Sequence, residues 1–195
     1  LVLGRIIDAC KLAEADGAQI VGLGGYTSVV GSAGLTVAKE MDIAVTSGNS
    51  YTVATAVEGA TKACELFGLD PTQATVAVVG ATGSIGSVCS KILAKRGVGT
   101  LILLGRSEQR LANIAEDIHS LYPQTNIEIS IDMGANIGRS DLVVSCTSSG
   151  GDILQPNIFK PGSVICDVAV PHDVCREVAQ LRPDVLVIEG GVCVA

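Results

Sequence analysis

A strand-like run that leads into a glycine-rich turn and a helix constrains this chain more than any other feature. The apolar run 75–79 is followed by the turn 80–86 (GATGSIG), helix-compatible residues 88–96, a second apolar run 101–104 and Gly105-Arg106-Ser107. This order is the sequence form of a dinucleotide-binding βαβ unit, in which backbone N–H groups at a helix N-terminus hold the pyrophosphate. A plain glycine-rich turn is the weaker alternative. The residues predicted to bind pyrophosphate are Gly80, Ala81, Thr82, Gly83, Ser84, Ile85 and Gly86.

Strand and helix patterns alternate from residue 71 almost to the end of the chain. Helices are predicted at 84–96 and at 108–121, the latter with Ser107 as N-cap. Six strands with intervening helices predict an α/β fold, a doubly wound parallel sheet of the Rossmann, NAD(P)-binding type with strand order 3-2-1-4-5-6. The predicted strands are 75–79, 100–104, 126–131, 141–146, 163–168 and 184–189.

The first 70 residues read as a separate α/β segment. Leu3, Ile6, Ile7 and Cys10 form the apolar stripe of an amphipathic helix, and two short apolar runs follow. A helix predicted from Tyr51 to Phe67 connects this segment to the next. We therefore expect residues 1–70 to be a partial, substrate-side segment of a second, incomplete domain, and residues 71–195 to be the NAD(P)-binding domain. The chain starts without Met in a helix pattern, so we expect both ends to continue in a longer protein.

The composition argues against several classes of protein. A net charge of −7 without a basic block argues against a nucleic-acid partner. The seven cysteines are scattered singly, which predicts neither a disulfide scaffold nor a metal site, and reduced thiols suit a cytoplasmic protein. The uncharged stretches are rich in Gly, Ser and Thr, so no integral membrane segment is expected. The oligomeric state is left open.

Arg106 and Ser107 follow the second strand of the predicted sheet, where the adenine ribose lies in dinucleotide sites. An NAD site usually has Asp or Glu here to accept the ribose 2′-OH, whereas Arg accommodates a 2′-phosphate. A guanidinium bonds phosphate bidentately, and Ser107 adds a hydroxyl. The sequence therefore favours NADP over NAD, against the alternative that Arg106 is a solvated side chain at a strand end.

Small hydroxyl residues follow the fourth strand of the predicted sheet. There they would let the nicotinamide-side ribose lie close to the backbone. The thiol of this segment is a candidate nucleophile, although a half-buried cysteine in a strand is usually a small hydrophobe. The residues predicted to line this side are Ser145, Cys146, Thr147 and Ser148.

Two further segments are candidates for chemistry. His172, after the fifth strand, is either a general acid or, the favoured interpretation, a surface histidine at a helix start. A polar cluster before the connecting helix either faces the substrate or is a simple N-cap cluster. The predicted substrate-side residues are Ser47, Gly48, Asn49 and Ser50.

Known catalytic patterns are missing from the sequence. No tyrosine is followed four residues later by lysine, as short-chain dehydrogenases require, and no P-loop or HExxH pattern occurs. The catalytic residues are therefore left unassigned.

Three segments in order, 23–28 (LGGYTS), 46–52 (TSGNSYT) and 74–86 (ATVAVVGATGSIG), resemble the aldehyde-forming long-chain acyl-[acyl-carrier-protein] reductases. They equally resemble the relatives of those enzymes called predicted amino-acid dehydrogenases, which have a shikimate-dehydrogenase-like Rossmann domain. The resemblance runs from about residue 23 to 191. It implies an NADPH-dependent reductase in which a cysteine takes the acyl group as a thioester and hydride releases the aldehyde.

The resemblance is incomplete at the catalytic positions. The family's nucleophilic cysteine lies beyond the position where this chain stops, and Cys193 is not part of that motif. The family's tyrosine-bearing segment after the fifth strand also differs here, at residues 168–173.

Three hypotheses follow. The main one is the NADP-binding domain of an oxidoreductase that reduces a small-molecule or carrier-bound acyl thioester. The second is an amino-acid or shikimate-type NADP dehydrogenase, and the third is an NADP-sensing module without turnover.

Overall fold

The computed structural model describes residues 1–28 and 30–191, and Cys193 lies outside these ranges. The chain divides into two compact units, Leu1–Tyr51 and Thr52–Ala195. The division falls inside the connecting helix, α4 (Asn49–Leu66), so most of that helix belongs to the larger unit. The assignment of residues 1–70 to a second, incomplete domain stays a prediction.

The smaller unit contains a two-stranded parallel sheet with short helices. Cys10, Leu23 and Val37 are its buried centre, and Leu3, Ile6 and Ile7 pack against them, which confirms the apolar stripe of the first helix. The elements are α1 (Val2–Ala15), β1 (Ile20–Gly22), a 3-10 turn (Gly25–Ser28), α2 (Val30–Ala33), α3 (Leu35–Ala38) and β2 (Ala44–Thr46). In α2, Gly31 and Ser32 have left-handed backbone angles, so this segment is a turn rather than a regular helix.

The larger unit is a six-stranded sheet in the order β5-β4-β3-β6-β7-β8, with every pair parallel. This is the predicted 3-2-1-4-5-6 order, so the doubly wound α/β fold is confirmed. Its elements are β3 (Thr75–Val79), α5 (Ser84–Lys95), β4 (Thr100–Leu104), α6 (Glu108–Leu121), β5 (Asn126–Ser130), α7 (Met133–Ile137), β6 (Leu142–Ser145), a 3-10 turn (Pro156–Ile158), β7 (Val164–Asp167), α8 (Val178–Leu181) and β8 (Leu186–Glu189).

Both faces of this sheet are covered, because successive strand residues point to opposite sides. Val76 and Val78 pack into one core with residues of α4 and α5, and Ala77 and Val79 pack into the other. A fully apolar strand is stable only when both faces are buried in this way. The continuous apolar runs in the sequence are explained by this burial.

Four strands are shorter than predicted, and α7 was not predicted. β5 ends at Ser130 because the Ser130 hydroxyl accepts a hydrogen bond from the Asp132 N–H, at 3.0 Å, and turns the chain. Asp132 then caps α7 by accepting from the Ala135 N–H at 3.2 Å. No helix within the described ranges has both the length and the apolar character to cross a bilayer.

Candidate functional site

The glycine turn brings the end of β3 to the start of α5. The N–H groups of Gly80 and Ala81 both donate to the Leu104 carbonyl at 3.0 Å, and the Gly83 N–H donates to the Gly80 carbonyl at 2.9 Å. Within α5, the Ser87 N–H bonds the Gly83 carbonyl at 3.0 Å. The N–H groups of the first helical turn therefore stand at the positive end of the helix dipole, where an anion is stabilised.

Two glycines in this turn have no room for a side chain. Gly80 has a φ of +81°, and a Cβ there would lie 2.9 Å from the Cys146 carbonyl oxygen. A Cβ on Gly86 would lie 2.8 Å from the Gly80 carbonyl carbon and 2.9 Å from Ala81 Cα. The turn thus packs against both the helix start and the loop after β6, as the dinucleotide motif requires.

A cleft of about 500 Å³ opens beside the turn at the carboxyl ends of β3, β4 and β6. Parallel sheets bind ligands at this edge, where the strand order reverses. Seven of the residues predicted from sequence line it: Gly80, Thr82, Gly83, Arg106, Cys146, Thr147 and Ser148. Val79, Gly105 and Ser149, which belong to the predicted segments, also line it. The remaining lining residues were not singled out from the sequence: Arg110, Ile131, Met133 and Ile153.

Other predicted residues support the cleft without lining it. Ala81 is buried, Ile85 packs against the core, and Ser84 and Gly86 are in the first turn of α5. The Ser107 hydroxyl accepts from the Arg110 N–H at 3.4 Å, which confirms the predicted N-cap of α6.

The polar cluster 47–50 belongs to the smaller unit, where it begins α4. Gly48 has a φ of +74°, and its N–H donates to the Thr46 hydroxyl at 3.2 Å. These features suit a turn that leads into a helix. A substrate-side role for Ser47, Gly48, Asn49 and Ser50 stays a prediction.

Arg110 is a site residue that the sequence reasoning missed. One of its guanidinium nitrogens donates to the Thr82 carbonyl at 3.2 Å, so the side chain crosses from α6 to the glycine turn. Arg106 lines the same cleft. Arg110 follows Arg106 by four residues, on the other side of the Ser107 N-cap, and this second basic residue was the signal available in the sequence.

Asp173, also missed, is a fully buried carboxylate that holds the loop after β6. It accepts hydrogen bonds from the Ser145 hydroxyl at 2.6 Å, the Thr147 hydroxyl at 2.6 Å and the Thr147 N–H at 3.0 Å. Of the three hydroxyl groups that were predicted to face a nucleotide, those of Ser145 and Thr147 donate to Asp173 in this structure. Their part in nucleotide binding stays a prediction, and Asp173 fixes the loop that carries them.

The Cys146 thiol donates to the Val79 carbonyl at 3.2 Å. Burial raises the pKa of Cys146 well above its ordinary value, and nearby thiols and carboxylates, Asp173 among them, act in the same direction. Because the thiolate is the nucleophile, this environment suppresses reactivity. The geometry supports the interpretation of Cys146 as a small hydrophobe.

We expect iodoacetamide at pH 8 to alkylate Cys146 at less than about one tenth of the rate at which it alkylates free cysteine. The reason is that each unit by which the pKa is raised lowers the thiolate fraction about tenfold. Mass spectrometry of the Cys146 peptide measures the rate. Cys146→Ala is expected to keep nucleotide affinity. Labelling of Cys146 as fast as that of free cysteine would contradict this account.

His172 lies beyond the end of β7 but not at a helix start, because α8 begins only at Val178. Its side chain is half exposed and lines a second cleft, of about 510 Å³. Within residues 1–28 and 30–191, no group of three or more His, Cys, Asp or Glu side chains is arranged to hold a metal ion.

A doubly wound sheet with a glycine turn, a helix N-terminus and an arginine-lined cleft defines the class of dinucleotide-binding domains. Residues 58–188 match the family model described as shikimate / quinate 5-dehydrogenase, and the chain belongs to this family. The larger unit is therefore a nucleotide-binding domain of the shikimate / quinate dehydrogenase type.

Three individual proteins are similar to this chain. The chain is 33% identical over 199 residues to "Aminotransferase PigE" of Serratia sp., covering 100% of this chain and 22% of that protein. It is 31% identical over 199 residues to "Long-chain acyl-[acyl-carrier-protein] reductase" of Synechococcus elongatus, covering 96% of this chain and 55% of that protein. Among solved structures, glutamyl-tRNA reductase from Methanopyrus kandleri is similar, with a TM-score of 0.55 and 26% identity over 71% of this chain and 34% of that chain. The chain thus spans 22% and 55% of these two curated relatives.

Proposed function

We propose that this chain is the NADP(H)-binding domain of a cytoplasmic oxidoreductase. The observation that carries the proposal is the convergence of the glycine turn, Arg106 and Arg110 on one cleft. The turn supplies N–H groups for the pyrophosphate, and the guanidinium groups supply charge for the 2′-phosphate. Nucleotide-binding roles for Ser84, Ile85, Gly86, Ser107 and the 145–148 segment belong to this proposal.

Charge supports NADP over NAD. Arg106 and Arg110 both lie beyond β4, where the adenine ribose is expected. None of the described residues that line this cleft is acidic, so the carboxylate that usually accepts the 2′-OH of NAD is missing from its wall. A second NADP argument from sequence, the hydroxyl of Ser107, is weaker because that hydroxyl caps α6.

Replacing Arg106 by Ala is expected to weaken NADPH binding by about 30-fold and NADH binding by less than about 3-fold, since a charge-assisted contact contributes about 2 kcal/mol. Arg110→Ala is expected to act in the same direction. Fluorescence titration with each nucleotide measures both affinities. Lys62→Ala, which removes one exposed positive charge on α4, is the matched control. Equal losses of affinity for NADPH and NADH would contradict the assignment of NADP as the cofactor.

For the substrate, we propose an acyl thioester that is reduced to an aldehyde, supported by the 31% identity to the acyl-[acyl-carrier-protein] reductase over 96% of this chain. An acyl-enzyme route needs an activated thiolate. In the described residues, burial raises the pKa of Cys64 to about 11 and the pKa of Cys89 and Cys166 to about 12, so these thiols are poor candidates.

The match of residues 58–188 to the shikimate / quinate dehydrogenase family favours a second candidate, direct hydride exchange between NADP and a hydroxyl or amino-bearing carbon. NADPH consumption with a long-chain acyl-coenzyme A, and NADP reduction with shikimate, quinate and amino acids, separate the two reactions. Nucleotide binding without turnover of any of these would favour the NADP-sensing module.

The cytoplasmic assignment is supported by the thiols. The cysteines within the described ranges are all free: Cys10, Cys64, Cys89, Cys146, Cys166 and Cys175. Thiols that stay reduced are typical of the cytoplasm.

A further inference from the structure

The second cleft lies at the carboxyl ends of β7 and β8. Its apolar walls include Val174 and Val187, and its polar groups come from three segments: the loop after β6, the loop after β7, and the end of β8. This is the edge of a parallel sheet at which ligands bind. Nothing in the nucleotide site described above uses this cleft.

One continuous loop contributes residues to both clefts. Residues 146–149 line the nucleotide cleft, whereas Gly150, Gly151 and Asp152 line the second. The loop is bonded to the segment that carries His172, since the Asp152 N–H donates to the His172 carbonyl at 3.1 Å. A molecule in the second cleft therefore adjoins the part of the nucleotide cleft expected to hold the nicotinamide.

His172 faces a fixed carboxylate. Asp167 is 3% exposed, and its oxygens accept from the Ala169 N–H at 3.0 Å and the Val174 N–H at 2.9 Å. The His172 Nδ1 atom lies 3.7 Å from Asp167 Oδ2, and Nε2 lies 3.4 Å from Glu189 Oε1. These are electrostatic contacts rather than hydrogen bonds, and such contacts tighten when a ligand closes a site. A buried carboxylate behind one ring nitrogen orients the ring.

We propose that the second cleft binds the carbonyl substrate and that His172 is the proton donor of the reduction, with Asp167 as the residue that orients it. The inference rests on the second candidate of the proposed function, direct hydride exchange between NADP and a hydroxyl-bearing carbon. Hydride from C4 of the reduced nicotinamide forms a bond to the carbonyl carbon, and the carbonyl π pair takes a proton from the His172 imidazolium. The nicotinamide is oxidised, the carbonyl is reduced to an alcohol, and the neutral imidazole regains a proton from solvent.

The surroundings of the imidazole suit this role. The charged and titratable groups that line the cleft with it are Asp152, Asp167, Cys175, Arg176 and Glu189. The mixture of apolar walls with these groups fits a small aldehyde or ketone that has an apolar portion.

The chain has two histidines, which allows a test that needs no substrate. Diethyl pyrocarbonate modifies exposed imidazoles, and His119, exposed in the last turn of α6, serves as an internal control. Saturating NADPH is expected to slow modification of His172 by at least about fivefold, because the nicotinamide covers the mouth of the second cleft. Adenosine 2′,5′-bisphosphate, which lacks the nicotinamide, is expected to leave the rate of His172 modification unchanged. The rate of His119 modification is expected to stay the same with either nucleotide.

The outcomes separate this inference from the proposed function. NADPH that binds by fluorescence but leaves His172 unprotected, or equal protection by both nucleotides, would overturn the role of His172 and leave nucleotide binding intact. Failure of NADPH to bind at all would refute both the proposed nucleotide-binding function and the role of His172. His172→Gln is further expected to keep NADPH affinity while lowering hydride transfer about 100-fold, whereas His119→Gln keeps both. Unchanged hydride transfer in His172→Gln would also refute the proposal.

Discussion

Replacing Gly86 by alanine is expected to lower the free energy of unfolding by about 2 kcal/mol and to abolish tight binding of NADPH. The new Cβ would meet the Gly80 carbonyl and Ala81 Cα, which are backbone atoms that cannot rotate away. The strain of overpacking, about 3 kcal/mol, outweighs the roughly 1 kcal/mol that alanine contributes in a helix. Urea unfolding and fluorescence titration measure the two effects.

Gly59→Ala is the matched control, because Gly59 is also a helical glycine but is exposed. A Cβ there would meet only Ile188 Cδ1, at 3.9 Å, which is ordinary van der Waals contact. This variant is expected to be more stable by about 0.5–1 kcal/mol, with NADPH affinity unchanged. Gly86→Ala with the stability and affinity of the unmodified chain would show that the turn does not need this close approach.

Replacing Asp173 by alanine is expected to lower the free energy of unfolding by about 3 kcal/mol, because buried donors on Ser145 and Thr147 lose their acceptor. The loop that we propose to line the nicotinamide side of the cleft is then no longer held. We expect NADPH affinity to fall about 10-fold, while affinity for adenosine 2′,5′-bisphosphate stays unchanged, since that nucleotide does not reach the loop. Urea unfolding measures the loss of stability, and titration with NADPH and with adenosine 2′,5′-bisphosphate measures the two affinities.

Asp173→Asn separates hydrogen bonding from simple truncation. An amide oxygen in the place of Asp173 Oδ2 would still accept from the Ser145 hydroxyl and the Thr147 N–H, and the Thr147 hydroxyl could turn to accept from the amide. The free energy of unfolding of Asp173→Asn is therefore expected to fall by only about 1 kcal/mol. Asp8→Ala, at an exposed position of α1, is the control for loss of a carboxylate. Equal weakening of both nucleotides in Asp173→Ala would mean general unfolding rather than a role in positioning.

The sheet could be predicted because its signals are local. Runs such as 75–79 and 100–104 agree with β3 and β4 residue for residue, since a buried parallel strand must be apolar throughout. The C-terminal end of β5 and the presence of α7 were not predicted. They depend on short side-chain bonds of Ser130 and Asp132, which compete with strand continuation and leave little trace in apolar periodicity.

The sequence by itself determined the six strands of the large sheet, the glycine turn and the basic residue after β4, because periodicity and the steric needs of glycine act over a few neighbouring residues. Only the tertiary structure decided which distant groups meet. Asp173 reaches Ser145 from 28 residues away, Arg110 reaches Thr82 from 28, and His172 faces both Asp167 and Glu189. These pairings arise because parallel strands bring their carboxyl ends, and the loops that follow them, to one edge of the sheet. The spacing of residues along the chain does not predict which residues of these loops come into contact.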